Sequence, residues 1–429
     1  MTGQQGTGQQ TGGQAAQVRR RRVFYIPGYD PIHPRRYREL YRTESAAQAE
    51  VSGYEIGLTA KTSKGPYGWH VAARIEDSEV ETDVEVLVWS DIVRDSMSGT
   101  IPATYLQLLR TAWTYVSTGT LRRLMMLRKG PVIAALYPVG MLIVQALLAL
   151  GLGVLAGTWL GRLADWLLSF LWEAGGAVLG WLVFWGVWAA VAVAVLRWFK
   201  SKDGRFFAYY LMHDYAYSAQ SKGANPPELE QRMAVFAELI ATALHEPVDE
   251  VLVVGHSSGA HLAVSVLADL LRAGRLPKDG PALGFLSLGQ VVPMVSFLPE
   301  ARRLRGDLQY LSARTELTWV DVTAPGDGCS FALCDPVAVS GVAPEGKRWP
   351  LVISAAFTQT LSPARWQALR WRFFRLHFQY LCAFDRPGDY DYFRITAGPK
   401  TLAARFEGRL PSKSRIDVRA SKYTSVTVA

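Results

Sequence analysis

The sequence has few cysteines, and they are not spaced like metal ligands or a disulfide framework. Only three occur in 429 residues, Cys329, Cys334 and Cys382, and no two closely spaced doublets can be formed from them. This pattern excludes the usual four-ligand zinc site and argues against a secreted disulfide-linked scaffold. We therefore expect a reducing compartment, no metal and no organic cofactor.

The N-terminal segment has almost no apolar side chains. It is rich in Gly, Gln and Thr, and four arginines follow at Arg19–Arg22. Such a segment cannot bury enough surface to offset the entropy of ordering, so residues 1–22 are predicted to form a disordered polar and basic tail. A signal peptide is not expected, because no apolar core with a small-residue cleavage site follows a charged start. The N-terminus is accordingly predicted to be cytoplasmic.

Charged side chains are absent from two long apolar stretches, residues 131–160 and residues 174–196. A helix that spans a bilayer needs ~20 predominantly apolar residues, and a soluble helix normally keeps one polar face. Both stretches meet the first condition and lack the second feature. They are predicted to form a transmembrane helical hairpin over residues 131–198, with the lipid bilayer as its partner.

Basic residues concentrate on the outer flanks of this hairpin. Four precede the first stretch within residues 122–129 and four follow the second within residues 197–205, whereas the connector carries only Arg162 against Asp165 and Glu173. The positive-inside rule places both flanks, and with them both termini, in the cytoplasm. The net charge of +9 is thus attributed to an anionic membrane surface, of the bacterial inner-membrane type, and not to nucleic acid.

Short apolar strands alternate with helical segments in the rest of the chain. The predicted strands are VFYIPG, YEIGLTAK, WHVAARIE and VEVLVWS before the hairpin, and EVLVV, LGFLSLGQVV and LTWVDVTAP after it. Helices are predicted at PRRYRELYRTESAAQAE, at ELEQRMAVFAELIATALH, from Ala260 onward and at about residues 299–308. This alternation is typical of an α/β fold with a mostly parallel sheet covered on both faces. Residues 23–130 and 199–429 are predicted to form that one domain.

The pentapeptide GHSSG, residues 255–259, lies between the strand EVLVV and a helical segment. A nucleophile elbow needs a strand, a sharp turn that forces its serine into a strained backbone, and a helix, with small residues on both sides. All three parts are present. The spacing of the two glycines selects Ser257 and excludes Ser258.

This arrangement resembles the α/β-hydrolase superfamily of serine esterases and lipase-like enzymes, and the resemblance covers most of the chain outside the tail and the hairpin. It implies that Ser257 is the nucleophile of a catalytic triad. It also implies the chain order nucleophile, acid, histidine. Of the 7 histidines, His377 alone lies beyond a possible acid loop, so it is the predicted base. The alternative is a structural histidine on one continuous helix, WRFFRLHFQYL.

Two aspartates are candidates for the acid of the triad. Asp327 follows the strand LTWVDVTAP in the turn PGDG, and Asp335 follows in CDPV. Asp327 is preferred because the family places its carboxylate just past the strand, and the flanking glycines leave the turn free to aim it. Asp335 is the alternative acid. Either residue can instead be a helix cap or an Asx-turn.

An oxyanion hole is expected beside the serine. The resemblance implies the backbone amide of Ser258, at the positive end of the following helix, as one donor. The turn IPGYDP resembles the family's histidine-glycine oxyanion turn, with Pro27 where histidine is usual, so Gly28 and Tyr29 are the predicted contributors. The turn can equally be a plain strand end.

The predicted function is that of a membrane-anchored serine hydrolase. It would cleave an ester or thioester of apolar or lipid character through an acyl-enzyme, with the catalytic domain on the cytoplasmic side. Two alternatives stay open: an acyltransferase with the same triad, and a catalytically inactive membrane scaffold.

Overall fold

An eight-stranded sheet organises the larger of two structural units. The structure is a computed structural model that describes residues 17–97, 99–169 and 173–427. The larger unit comprises the described residues up to Arg94, then Thr120–Pro131, and those from Ser221 onward. The smaller unit, Asp95–Gly119 and Val132–Gln220, contains the apolar helices.

The strands of the sheet lie in the order β2-β3-β4-β1-β5-β6-β7-β8. Strand β3 is antiparallel to its neighbours β2 and β4, and every other neighbouring pair is parallel. Their bounds are β1 Arg20–Ile26, β2 Glu55–Ala60, β3 Gly68–Ile75, β4 Ser78–Val86, β5 Glu250–His256, β6 Ala282–Leu288, β7 Leu317–Thr323 and β8 Leu351–Ser354. The predicted mostly parallel sheet is confirmed.

Strands β5, β6 and β7 are buried at every residue, as expected for parallel strands covered on both faces. Strand β6 is shorter than predicted because Gly289 adopts φ +52° and ends it. The helices of this unit are α1 Arg35–Ser52, α2 Ser90–Ser96, α4 Thr120–Leu127, α9 Pro227–Ala243, α10 Gly259–Arg272, α11 Val292–Ser296, α12 Arg302–Ser312, α13 Pro336–Val339, α14 Phe357–Thr360, α15 Pro363–Leu369, α16 Phe373–His377, α17 Tyr392–Ala397 and α18 Leu402–Arg405, with a 3₁₀ turn at Gln379–Leu381.

Part of the segment that was predicted to be a disordered tail belongs to the sheet. Residues 1–16 lie outside the described residues, but Gln17 bridges Lys400, and β1 begins at Arg20. Arg20–Arg22 therefore belong to the sheet, which corrects the predicted boundary at residue 22. Ion pairing explains why this basic segment is ordered. No carboxylate lies near these arginines along the sequence, but the fold brings several to Arg21 and Arg22.

Arg21 is the most completely paired of these arginines. Its Nε donates to Glu250 Oε2 at 2.6 Å, and its two terminal nitrogens donate to the carbonyl oxygens of Gly398 and Lys400 at 2.8 and 2.7 Å. Both partners of the ion pair are 1% exposed. The pair fastens the central strands β1 and β5 to the C-terminal part of the chain.

We expect the substitution Glu250→Ala to lower the free energy of unfolding by about 3–5 kcal/mol, because it leaves the Arg21 guanidinium buried without its counter-ion. The matched control is Glu238→Ala, which removes an ion pair with Arg275 whose carboxylate is 62% exposed. That change should cost less than about 1 kcal/mol. Denaturant unfolding of both variants measures the difference, and equal losses would contradict the role given to the buried pair.

The smaller unit is entirely helical in its described residues. Its helices are α3 Ile101–Ser117, α5 Lys129–Ser169, α6 Glu173–Ser201, α7 Asp203–Phe206 and α8 Ala208–Gln220. Helix α5 begins in the larger unit and is 41 residues long, so it continues through most of the predicted connector. The unit is also larger than the predicted hairpin 131–198, because α3 and α8 pack together and belong to it.

Helices α5 and α6 are both long and apolar enough to span a membrane. They approach each other through glycines: a Cβ on Gly157 would lie 2.7 Å from the Phe184 carbonyl oxygen, and one on Gly161 would lie 2.8 Å from that of Gly180. Small residues at such contacts are common between membrane helices. Only 22% and 11% of the most apolar segments of the two helices are buried, unlike the core helices of a soluble protein.

Candidate active site

Ser257 lies in the sharp turn between β5 and α10, where the sequence predicts an elbow. Its φ is +56°, a left-handed conformation that is rare for any residue except glycine. Its amide donates to the Leu288 carbonyl oxygen at 2.9 Å, and its own carbonyl oxygen accepts from the Ala260 amide at 3.1 Å. The serine is partly exposed, whereas both of its neighbours in the chain are buried. A strained, accessible serine at a strand-to-helix turn is the geometry that an elbow requires.

The two glycines of GHSSG allow this turn to form. A Cβ on Gly259 would lie 2.1 Å from the Ile26 carbonyl oxygen, and a Cβ on Gly255 would lie 2.7 Å from the Ala260 Cα. Both distances are impossible for a real side chain. The close approach of β1, β5 and α10 thus explains the motif.

His377 and Asp327 form a buried pair. The imidazole Nδ1 lies 2.8 Å from Asp327 Oδ2, and the two residues are 6% and 2% exposed. Asp327 Oδ1 accepts from the Cys329 amide at 2.9 Å. Burial alone would raise the pKa of Asp327, but the adjacent His377 imidazole and these hydrogen bonds outweigh burial and hold that pKa below its usual value. An ionised carboxylate is therefore present beside the imidazole at neutral pH.

The tautomer of His377 follows from this pairing. An ionised carboxylate can only accept a hydrogen bond, so Nδ1 carries a proton, and in the neutral form of the ring the lone pair is on Nε2. Nε2 is buried and makes no hydrogen bond to any described residue, and the Ser257 hydroxyl is thus not bonded to it. Catalytic hydrogen bonds are often long in ligand-free proteins and shorten with substrate. An unpaired, buried imidazole nitrogen is the form of a general base before reaction.

Three contacts place the His377 ring next to the turn of Ser257. A Cβ on Gly289 would lie 3.0 Å from His377 Cε1, and Gly289 directly follows Leu288, which binds the Ser257 amide. The rings of His256 and His377 have centroids 4.9 Å apart. His256 Nε2 also donates to the His377 carbonyl oxygen at 3.0 Å. His256 thereby fixes the backbone that carries the imidazole.

The structure does not bring the alternative acid, Asp335, to His377. Asp335 instead caps helix α13, accepting from the amides of Val337 and Ala338, and pairs with Lys347 at 2.6 Å. Asp327 also forms the Asx-turn that was its alternative interpretation, since its second oxygen accepts from the Cys329 amide. The two interpretations of Asp327 are therefore compatible, because each oxygen serves one of them.

His377 is the last residue of the short helix α16. The alternative of one continuous helix over WRFFRLHFQYL does not hold, since α16 ends at His377 and a separate 3₁₀ turn follows at Gln379–Leu381. Two more helices, α17 and α18, come after it. The break turns the imidazole toward Asp327.

Sequence reasoning missed two side chains of the site. The Tyr380 hydroxyl donates to Asp327 Oδ2 at 3.0 Å and accepts from the Ala324 amide, also at 3.0 Å. His256 lies inside the motif, but the motif itself predicts no role for its side chain. Neither residue belongs to a periodic sequence pattern. The only available signal is chemical: a hydroxyl three positions after the predicted base and an imidazole directly before the predicted nucleophile can both form hydrogen bonds in the site.

The predicted oxyanion donors lie around Ser257, and one of the two amides already has a hydrogen-bond partner. The amide of Ser258, at the start of α10, makes no hydrogen bond to another described residue and is available as a donor. The amide of Tyr29 donates to Ser258 Oγ at 3.3 Å. Gly28 is in contact with the serine, because a Cβ there would lie 3.0 Å from Ser257 Cβ. The IPGYDP turn thus lies against the serine, as an oxyanion turn would.

One group of side chains in the described part of the chain has the spacing of metal ligands, although the sequence predicts no metal. Ligand atoms of Asp327, Cys329 and His377 lie within 4.8 Å of one another. The Asp327 oxygens, however, already accept from His377, Tyr380 and the Cys329 amide. A metal would have to displace the carboxylate–imidazole bond, so these residues fit a hydrogen-bonded pair better than a metal site.

The two histidines beside the elbow should make the fold sensitive to acid. Burial, with the adjacent His377, lowers the pKa of His256 to about 3, and burial lowers the pKa of His261 to about 4. Both values lie below the usual 6.5, so protons bind the unfolded chain better. The folded state therefore has its full stability above pH 6.5 and loses stability as the pH falls from 6.5 toward the lowered pKa values. Between pH 7 and pH 5 the titration of each histidine should lower the free energy of unfolding by about 2 kcal/mol.

The substitution His261→Leu should remove the part of this acid sensitivity that comes from His261, because leucine binds no proton. The His261 Nδ1 is buried without a partner among the described residues, so no hydrogen bond of that nitrogen is lost. We expect the drop in unfolding free energy between pH 7 and pH 5 to be about 2 kcal/mol smaller in the variant. Chemical denaturation at both pH values measures it. A variant with the same pH dependence as the parent would refute the assignment.

Together these residues provide a hydroxyl in a strained turn, an imidazole with an unpaired nitrogen, an ionised carboxylate behind it and a backbone amide for a developing negative charge. Such a set can perform nucleophilic acyl transfer. Comparison of the chain with protein-family models, with curated proteins and with solved structures finds no match.

Proposed function

We propose that this chain is a serine hydrolase of the α/β-hydrolase type that cleaves an ester or thioester through an acyl-enzyme. Ser257 attacks the carbonyl carbon, and His377 Nε2 takes the hydroxyl proton. Asp327 keeps the imidazole in the required tautomer and stabilises its charged form. The Ser258 amide and the Gly28–Tyr29 turn stabilise the oxyanion. His377 then donates its proton to the leaving group, and water releases the acid.

The observation that carries this proposal is the state of His377. Its Nδ1 is bonded to an ionised Asp327, whereas its Nε2 is buried and unpaired beside the turn of a positive-φ serine. A buried polar atom without a partner is costly. His261 also has one, and His377 differs from it by the carboxylate on its other nitrogen and by its place beside the serine turn. The unpaired nitrogen is explained if it awaits the proton of Ser257.

We further propose that α5 and α6 anchor the enzyme in a membrane, with the larger unit on the cytoplasmic side. Their length, apolar composition and exposed side chains support this, as do the basic flanks. Lipid character of the substrate follows from this anchor alone. An acyl group taken from a bilayer would reach an enzyme held at its surface.

A fluorophosphonate probe tests the reaction class directly, because it reacts only with an activated serine. We expect covalent labelling of the detergent-solubilised full chain at neutral pH, with the label on the peptide that contains Ser257. The heat-denatured chain should not react. An unlabelled native protein would refute the proposal and leave the inactive membrane scaffold as the better interpretation. In a labelled protein, products formed in the presence of lysolipid distinguish hydrolysis from acyl transfer.

A further inference from the structure

Five consecutive or near-consecutive exposed side chains form a basic-aromatic patch immediately before the proposed base. They are Arg370, Trp371, Arg372, Phe373 and Arg375. Trp371 is 72% exposed and Phe373 is 44% exposed, and their rings are 6.5 Å apart, edge to face. The Arg370 guanidinium lies 5.5 Å from the centre of the Trp371 ring. Large aromatic side chains are costly to leave in water, so this patch calls for an occupant.

The charge of the patch indicates the chemistry of that occupant. None of its three arginines forms an ion pair with a described residue, and residues 363–378 include no Asp or Glu. The nearby Arg365, in contrast, is paired with Asp385 at 2.8 Å. Unpaired arginines interleaved with exposed Trp and Phe are characteristic of segments that lie in the headgroup layer of an anionic bilayer.

The patch is connected to the proposed triad by direct contact. Phe373 begins helix α16, which ends at His377. The Phe373 ring covers the loop of the acid, since a Cβ on Gly328 would lie 3.2 Å from the ring. The Trp366 ring similarly covers Gly326, where a Cβ would lie 2.6 Å away. The patch therefore contacts the acid loop directly through Phe373, and Trp366, which lies outside the patch on helix α15, contacts the other side of Asp327.

The same loop also contacts the beginning of the first apolar helix. A Cβ on Gly130, the second residue of α5, would lie 3.3 Å from the Gly328 carbonyl oxygen. Arg128 Nε donates to the Ala332 carbonyl oxygen at 2.9 Å. The acid loop thus contacts both the patch, through Phe373, and the start of helix α5, through Gly130.

We propose that the basic-aromatic patch docks on an anionic phospholipid surface and that docking holds α16, and with it His377, in place. The inference rests on the proposed membrane anchor and deepens the proposed function, because it makes bilayer composition a regulator of the site. Each arginine at such a surface changes the ratio of docked to free patch by roughly fivefold. The aromatic rings supply the apolar contact.

The test uses the full chain reconstituted in nanodiscs of phosphatidylcholine, alone or mixed equally with phosphatidylglycerol. An environment-sensitive fluorophore is attached at Ala368→Cys, an exposed position next to the patch, with Cys329→Ser and Cys382→Ser as background. The matched control is Ala234→Cys, exposed on α9 among Glu228, Glu230 and Glu238. Quenching by headgroup-proximal nitroxide lipids reports contact with the bilayer.

We expect stronger quenching at position 368 in the anionic discs than in the neutral ones, and no such difference at position 234. Replacing Arg370, Arg372 and Arg375 by Gln should abolish the difference, and high salt should reduce it because exposed charges are screened. Equal responses at the two positions, or a difference that survives the triple substitution, would overturn the proposal.

The fluorophosphonate reaction on the same samples separates the two proposals. If position 368 responds to phosphatidylglycerol but Ser257 is never labelled, docking stands and the enzyme proposal fails. If Ser257 is labelled at the same rate in every disc and position 368 does not respond, the enzyme proposal stands and docking fails.

Discussion

The substitution Ser257→Ala is expected to lower the turnover of a short p-nitrophenyl ester by roughly 10⁴- to 10⁶-fold. Alanine removes the only atom that can form the acyl-enzyme, while the imidazole, the carboxylate and the amide donors remain. The small activity that is left would come from the oxyanion donors and substrate binding. Alanine also keeps the φ of +56° possible, so the fold should be preserved. Initial rates of the purified full chain in detergent measure the loss.

The adjacent serine provides a demanding control for this measurement. Ser258→Ala removes the hydroxyl that accepts from the Tyr29 amide but keeps its own backbone amide. We expect turnover to change by less than about tenfold, since the proposed donor is the amide. Full turnover by the Ser257→Ala variant, or a greater loss in Ser258→Ala, would contradict the choice of nucleophile.

The substitution Asp327→Asn should cost about 10⁴-fold in turnover. An asparagine amide can turn its NH₂ toward His377 Nδ1, which would then accept a hydrogen bond and move the ring proton to Nε2. The base would be lost although the site keeps its shape. The amide oxygen would keep the hydrogen bond from the Cys329 amide, and the Tyr380 hydroxyl, which shares Oδ2 with the imidazole, can turn to accept from the NH₂. The thermal midpoint should therefore change far less than the rate.

Asp335→Asn is the matched control, because both aspartates follow the same strand. Asparagine caps helices as well as aspartate does, so the bonds to the amides of Val337 and Ala338 should persist, and only the ion pair with Lys347 is lost. Turnover should stay close to that of the parent. A larger loss in this variant than in Asp327→Asn would make Asp335 the acid and refute the assignment drawn from the geometry.

The fold could be predicted from the sequence where one local pattern decided the structure. Alternation of apolar strands with helices predicted the mostly parallel sheet, and two charge-free runs predicted two helices of spanning length; both are confirmed. Boundaries were wrong where a distant partner mattered. Arg20–Arg22 look like a solvated basic run until Glu250, Glu85 and Glu246 are brought to Arg21 and Arg22 by the fold. Helix α5 continues through most of the predicted connector because residues 161–169 contain no proline to end it.

The triad stays a prediction, yet the structure has narrowed its members. Chain order left one histidine and two aspartates, because order along the chain says nothing of distance through space. The choice of Asp327, the contribution of Tyr380 and the role of His256 depend on side chains that meet from three separate segments. None of these contacts has a sequence period; the resemblance favoured Asp327 over Asp335, but nothing in the sequence indicated the contacts of Tyr380 or His256.

By itself the sequence determined the α/β class, the two apolar helices and the strand–turn–helix setting of Ser257, because each depends on residues that are neighbours along the chain. Only the tertiary structure decided that Asp327 and not Asp335 faces His377, that Nε2 stays unpaired, and that the patch before His377 touches the acid loop. The physical reason is that burial and hydrogen bonding are short-ranged in space, and they act between residues that the folded chain, and no local pattern, brings within reach.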